Sequence, residues 1–221
     1  MKDCRVDIFD RNPHPYGLIR TGVAPDHQAM KKIKNDFREV FDQNTDRCKF
    51  FGNVWVGEVN ESSPDFDISS RFKDGSVVSL EALRNRYSAV VLAYGASKDR
   101  MLGLENETCS GIYPSRRVVN WYNGSLDNDV SSMNLENTRD ALVIGNGNIF
   151  CDIARSMLKS PEILAKTDMP KSVVEELAAS KLTNVQSVAR RGITHTAFTT
   201  KEIREVAAIP GLELYMVKDE V

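Results

Sequence analysis

An apolar run, Ala141-Leu-Val-Ile144, leads into Gly145-Asn-Gly147 and then into a helix-forming stretch from about Ile149 to Lys159. Strand, glycine turn and helix in that order constrain the fold more than any other feature of the chain. A short unbroken apolar run suits a strand buried on both faces of a parallel sheet. Glycines in the turn let a backbone approach a pyrophosphate, and the helix N-terminus then presents free N–H groups to negative charge. A turn without a ligand would use the same residues, so the G-x-G carries weight only through the strand before it and the helix after it. The next position of such a fingerprint is small where helix and strand pack closely; here Phe150 follows.

The rest of the chain repeats the alternation. Val6, Ile8 and Phe9 form a strand that ends at Asp10, and a Pro- and Gly-marked loop runs from Asn12 to Gly17. Asp26 is placed to cap a helix carrying Met30, Ile33, Phe37, Val40 and Phe41 on one face. Two short strands, around Phe50-Phe51 and over Val54-Trp-Val56, read as a hairpin or as neighbouring sheet elements. A polar stretch from about Val59 to Gly75 reads as a surface loop, Ser79 caps a helix from Leu80 to Arg86, and Ala89 to Ala93 reads as a buried strand. Beyond a linker-like stretch near Glu105 to Gly111, Ser115 to Tyr122 is predicted helical, and Gly124 to Thr138 is a polar linker. After the glycine turn and its helix come a polar helical excursion, about Lys159 to Leu182, a strand over Asn184 to Ala189, a helix from about Thr200, and a strand-like close at Leu212 to Val217. Alternating β and α elements predict an α/β fold of two Rossmann-like units with parallel sheets flanked by helices. The expected domains are residues 1–96 and 97–221, joined near Ala96 to Glu105.

Arg190-Arg191-Gly192 follows the strand after the glycine turn, where a dinucleotide site reads the adenosine ribose. Alone, the arginines are an ordinary solvated pair; together with the G-x-G they favour the 2′-phosphate of NADP, which a planar guanidinium binds bidentately. Asp10, closing an early strand, is the mirror case: an acid there is the ribose partner of an adenine dinucleotide, or simply a cap. No glycine fingerprint precedes it. His14, His27 and His195 are too scattered to suggest a metal site, and no metal is expected. His27, beside Asp26 in a Pro-fixed turn, is the histidine of interest. Asp152, in the first turn of the helix after the glycines, suits the helix dipole or a polar role near the nicotinamide.

The net charge of −2 in 221 residues gives no sign of a nucleic-acid binder, and no apolar run approaches the roughly 20 residues of a membrane span. Four dispersed cysteines, with no C-x-x-C pair, read as reduced thiols rather than a zinc or dithiol centre. They also argue against a thioredoxin-reductase-like mechanism, although other two-dinucleotide proteins, such as glutamate-synthase-like ones, stay open.

Taken in order, these motifs resemble the adrenodoxin reductase family, the mitochondrial type of ferredoxin–NADP reductase. Val6-Asp-Ile-Phe-Asp10, Pro15-Tyr-Gly-Leu18, Gly22-Val-Ala-Pro-Asp-His27, Arg47-Cys48 and Phe51-Gly-Asn-Val54 resemble its first FAD-domain segment. Tyr94-Gly-Ala96, Trp121-Tyr-Asn-Gly124, Gly147-Asn148, Asp152-Ile-Ala-Arg155, Arg190-Arg-Gly192, Ala197-Phe-Thr199 and Lys201-Glu202 resemble its NADP-domain segment. The stretch between Val59 and Val78 is longer than the family's and reads as an insertion, and Ile193 stands where the family has proline. The resemblance implies that residues 1–96 are an incomplete FAD-type unit and 97–221 an NADP-type unit, both cut short, so that the chain alone is expected to hold FAD poorly.

It also implies hydride transfer from NADPH to FAD and single-electron transfer to a [2Fe–2S] ferredoxin. A monomer in the mitochondrial matrix, at most peripherally associated with membrane, is expected, although no transit peptide is visible. Asp10, Leu18 and Val56 are expected to contact FAD, and Gly145, Gly147, Asn148, Ile149, Arg190, Arg191 and Glu202 to contact NADPH. His27 and Asp152 are expected at the flavin–nicotinamide meeting point, as catalytic residues. Arg204 is expected on the surface that receives an acidic ferredoxin. A non-catalytic remnant that binds NADP or a protein partner fits the absent flavin fingerprint as well.

Overall fold

A computed structural model describes residues 4–57, 75–96, 99–126 and 130–216. The chain divides into two compact units, Met1–Arg20 with Lys31–Lys98, and Thr21–Met30 with Asp99–Val221. The segment Thr21–Met30 thus belongs with the second unit although both of its flanks belong to the first.

In the first unit β1 (Val6–Phe9) pairs in parallel with β2 (Cys48–Phe51), from Val6↔Cys48 to Phe9↔Phe51. Phe9 stacks on Phe51 with ring centroids 5.0 Å apart, and Tyr87 meets Phe9 edge-on while donating its hydroxyl to Asp7 at 2.6 Å. β3 (Val54–Val56) does not form a hairpin with β2; it pairs in parallel with β4 (Ser76–Val78), a strand not anticipated at the end of the polar stretch. The rest of that stretch, residues 58–74, lies outside the described residues. Between β1 and β2 run α1 (Gly17–Thr21), α2 (Gln28–Lys31) and α3 (Ile33–Asp42), so the expected single helix is broken at Lys32. Its apolar stripe is largely exposed, with Ile33, Phe37 and Val40 about half accessible.

Ser79 caps α4 (Leu80–Arg86) as predicted, its hydroxyl accepting from Ala82 N at 3.1 Å. The strand predicted at Ala89 to Ala93 is absent, and Val91 is 85% exposed. An apolar run becomes a strand only when a neighbour completes its ladder, and among the described residues no strand pairs there.

The second unit is built on β5 (Asp140–Ile144) and β6 (Asn184–Val188), parallel over five pairs from Asp140↔Asn184 to Ile144↔Val188. Val143 faces the core, while Leu142, Ile144 and Val188 on the opposite face are exposed. Helices α5 (Ser115–Asn123), α6 (Asn148–Leu158), α7 (Pro161–Leu164), α8 (Lys171–Ala179) and α9 (Thr200–Ala207) accompany the sheet.

Trp121 and Tyr122 of α5 pack with Ile153 of α6, Leu164 of α7 and Val173 and Leu177 of α8. The stretches read as a polar linker and a polar excursion therefore line this core: Val130, Met133 and Leu135 come from the first, Leu164, Met169, Val173 and Leu177 from the second. Their apolar residues are sparse, and helix geometry gathers them on one side. Phe150 is buried with Cys151, Ala154 and Val206 and packs on Val143 and Val185, so the bulky residue after the glycine turn fills the space between the sheet and α9. Residues 212–216 form no strand, and Leu214, Tyr215 and Met216 are exposed. None of the four cysteines is paired.

Helix α5 ends at Gly124, whose φ of +59° closes the helix through Gly124 N→Trp121 O at 3.2 Å and Ser125 N→Asn120 O at 2.9 Å. A Cβ at this glycine would lie 2.7 Å from Pro170 Cγ. Gly124→Ala should therefore cost about 1–3 kcal/mol through left-handed strain and overpacking. Urea unfolding by circular dichroism checks this; an unchanged midpoint would show that the turn relaxes freely.

Candidate functional site

The glycine turn leaves β5 at its carboxyl end. Gly145 continues the pairing by donating to Val188 O at 2.8 Å, and its φ of +131° demands glycine. Gly147 precedes α6 with no side chain capping the helix. A Cβ built on either glycine would meet nothing within 4 Å, so the chain itself leaves this space open. The turn is stapled from the far side: Asn146 O accepts from Ala197 N and Phe198 N at 2.8 and 3.1 Å, and the Asn146 amide accepts from the Ser187 hydroxyl. Asn148 Oδ1 accepts from Thr199 N at 2.9 Å, and Ile149 is half-exposed beside it. Arg190 and Arg191 follow β6 and are exposed. Because Ile144 pairs with Val188, the glycines and the arginines leave adjacent strands at the same end of the sheet.

Helix α9 begins with Thr199-x-x-Glu202, the signature of a capping box. Thr199 Oγ1 accepts from Glu202 N at 3.3 Å, the expected half of that box. The other half is supplied by Asn148, which takes the Thr199 N–H and leaves the Glu202 carboxylate for another partner.

That partner is Arg155, on α6 and fully buried. Its Nη1 donates to Glu202 at 2.7 Å, its Nε to Asp26 at 2.9 Å and its Nη2 to Asp152. Lys159, one helical turn on, adds a second cation to Asp26 at 2.6 Å. His27 completes the group, with Nε2 2.6 Å from Glu205 and Nδ1 3.4 Å from Arg155 Nη2. Four carboxylates thus meet two permanent cations and one imidazole. Asp26, Ala24 and Pro25 are held inside the second unit, the last two buried. The sequence predicts Asp26 as a helix cap, but in the structure its side chain is 4% exposed and bound to Arg155 and Lys159 instead.

The proton affinities follow from these contacts. Burial pushes Asp26 up, but the hydrogen bonds from Lys159 and Arg155 outweigh it and hold the carboxyl below its ordinary range. Glu205 is likewise lowered, the His27 hydrogen bond prevailing over burial. Asp152 moves the other way, raised by burial against the pull of Arg155. Cys151, buried beside the cluster, is pushed up to about 11 by burial and stays a thiol at neutral pH. Burial also raises Tyr122, with a contribution from the charge of Asp152.

The structure therefore brings together three of the expected site residues, His27, Asp152 and Glu202. Asp152 lies in the second turn of α6, so its charge answers Arg155 rather than the helix dipole. Gly145, Gly147, Asn148 and Ile149 gather at the start of α6, and Arg204 is exposed on α9. In the first unit, Asp10 ends β1 and accepts from Asn12 N at 2.9 Å, Leu18 is 74% exposed on α1, and Val56 ends β3. Sequence reasoning missed Arg155, Glu205 and Lys159 as members of the cluster. The signal lay in two i,i+3 pairs, Asp152/Arg155 and Glu202/Glu205, each presenting its charges on one helix face.

His27, Glu202 and Glu205 each offer a donor atom, all within 4.8 Å of one another, a spacing compatible with a divalent cation. Arg155 already supplies positive charge there. The cluster opens to a groove of about 690 Å³ lined by Asp26, His27, Met30, Lys159, Glu205 and Pro210 among others.

No protein-family model matches the chain. Among curated proteins it is 40% identical over 209 residues to the mitochondrial NADPH:adrenodoxin oxidoreductase of Arabidopsis thaliana, covering 95% of this chain and 39% of that protein. The human protein of the same name is 38% identical over 206 residues. Over nearly its whole length, the chain is similar to adrenodoxin reductases. It spans about two fifths of the length of the curated adrenodoxin reductases it matches. Among solved structures it superposes on the FprA oxidoreductase of Mycobacterium tuberculosis in complex with NADPH, with a TM-score of 0.76 and 37% identity over 94% of this chain and 41% of that one. The structure and these likenesses agree on an α/β fold with parallel strand pairs.

Asp26, depressed in the folded state, stabilises the second unit above the unfolded carboxyl value of about 3.9, and this is lost as pH falls through its folded value. Asp26→Asn should cost about 3–5 kcal/mol at pH 7, since it strips a buried carboxylate from Arg155 and Lys159. It should also flatten the loss of stability below about pH 4. Urea unfolding between pH 2.5 and 7 tests both; an acid limb identical to wild type would remove Asp26 as its source.

Proposed function

We propose that the second unit is an NADP-binding unit and the first an incomplete FAD-type unit of a reductase. In this reading NADPH reduces FAD and electrons pass singly to a [2Fe–2S] ferredoxin. One observation carries it: an open glycine turn and a pair of free-standing arginines leave adjacent parallel strands at their carboxyl ends, the place where α/β sheets bind nucleotides. The kinship with the adrenodoxin reductases and with an oxidoreductase solved with NADPH supports the cofactor choice.

The residues present fit the nucleotide. Gly145 and Gly147 leave room for a pyrophosphate, the uncapped start of α6 at Asn148 and Ile149 offers N–H groups, and Arg190 and Arg191 suit a 2′-phosphate. Bound FAD would supply the conversion from two-electron to one-electron chemistry. Asp10, Leu18 and Val56 are the residues assigned to it, and the Asp10 carboxylate already holds its own turn through Asn12 N. Asp152 on α6, Glu202 on α9 and His27 just before α2 gather beyond the turn, where a nicotinamide extending from the pyrophosphate would meet charge held away from water. Arg204, exposed on α9, suits an acidic ferredoxin.

A monomer in the mitochondrial matrix belongs to the same reading; the relatives are named as mitochondrial. Among the described residues no helix is long and apolar enough to cross a membrane.

The experiment is a calorimetric titration of the 221-residue chain with NADPH and NADH, after its absorbance is inspected for flavin. Wild type should prefer NADPH. Arg190→Ala with Arg191→Ala should weaken NADPH about 10- to 100-fold, some 1.4 kcal/mol per tenfold, and leave NADH nearly unchanged. Equal losses for both nucleotides would defeat the 2′-phosphate assignment. A folded chain that bound neither would favour a remnant without turnover.

A further inference from the structure

The two ring nitrogens of His27 face partners of opposite kind. Nε2 lies 2.6 Å from Glu205 Oε2, and Glu205 is an acid held ionised, hence an acceptor only. Nδ1 lies 3.4 Å from Arg155 Nη2, and a guanidinium can only donate. The carboxylate facing Nδ1, Asp152, has its Oδ1 at 3.9 Å, beyond hydrogen-bond reach.

We infer that Arg155 fixes neutral His27 as the Nε2–H tautomer, which makes Arg155 a positioning residue and His27 the arm that aims Glu205. Each nitrogen settles the question independently. A proton on Nδ1 would point at the Arg155 donor and leave the Nε2 lone pair against the Glu205 carboxylate, losing both contacts.

The opposite arrangement is also resisted by the surroundings of Arg155. Its Nε and Nη1 are committed to Asp26 and Glu202, and Nη2 bonds Asp152, so the guanidinium plane cannot rotate to clear Nδ1 without breaking buried ion pairs. A lysine at this position would keep one charge and lose the fork.

The consequence for chemistry rests on the reading that a nicotinamide approaches this cluster. Neutral His27 then offers no lone pair to an incoming ring, since one nitrogen carries hydrogen to Glu205 and the other faces Arg155. Of the two residues expected to be catalytic, Asp152 is left as the group able to take up a proton, and His27 acts by orientation.

The test is a long-range ¹H–¹⁵N spectrum of the full chain labelled with ¹⁵N-histidine, without nucleotide. The spectrum is recorded at about pH 9, well into the alkaline range. His27 should show a pyridine-type Nδ1 and a pyrrole-type Nε2, unaveraged, whereas the exposed His14 should give averaged tautomers. Glu205→Gln should retain the His27 pattern, because an amide oxygen still accepts from Nε2–H. Arg155→Lys should move His27 towards the averaged pattern. A wild-type spectrum with the proton on Nδ1, with averaged shifts, or with both nitrogens protonated would overturn the inference whether or not the variants fold. So would an Arg155→Lys spectrum identical to wild type. A failed NADPH titration would sink the functional reading alone, and averaged His27 shifts would sink this inference alone.

Discussion

A guanidinium with no exposed surface has to be answered on every side, and the second unit is organised around doing so for Arg155. The idealised cost of taking an ion from water into a medium of low dielectric is of order 20 kcal/mol, and several kcal/mol remain after relaxation. Arg155 offsets it with the planar fork that lysine lacks, reaching carboxylates from three places in the chain: the segment before α2, its own helix and α9. A pair of this kind adds little net stability compared with well-packed apolar residues; what it fixes is geometry. Asp26 thereby stays ionised, Glu202 is drawn away from its capping role, and Asn148 has to close the start of α9 instead. Thus Asn148, which begins α6, and Glu202, which joins the charge cluster, are linked through the Thr199 N-cap of α9.

What the sequence made legible was local. Ser79 and the helix it caps, the β5 strand with its glycine turn, and α9 with its Thr199 cap all announce themselves within a few residues, since capping and strand–turn–helix chemistry act over short separations. The failures were non-local. Ala89 to Ala93 has the composition of a buried strand and no described strand to pair with. Residues 159–182 look polar because their apolar side chains are spaced by helical turns and meet only after folding. Arg155 pairs locally with Asp152, but its other partners, Asp26 and Glu202, stand 129 and 47 residues away.

Phe150 shows how a bulky residue is accommodated just after the glycine turn. A small residue at that position lets helix and strand touch directly. Here the aromatic ring is buried with Val206 against Val143 and Val185, so the wider gap is filled rather than empty. The backbone of the glycine turn keeps its open face: a Cβ added at Gly145 or Gly147 would meet nothing within 4 Å.

The allegiance of the segment Thr21–Met30 has a consequence for synthesis. Ala24, Pro25 and the Asp26 carboxylate belong in the interior of the second unit, but the ribosome delivers them among the residues of the first. Asp26 must wait for Arg155 and Lys159, 129 and 133 residues downstream, and His27 for Glu205, 178 residues downstream. At 5–20 residues per second that is roughly six to thirty-five seconds during which an acidic, proline-containing strap has no partner. The second unit closes only by recapturing a segment translated before the first unit is complete.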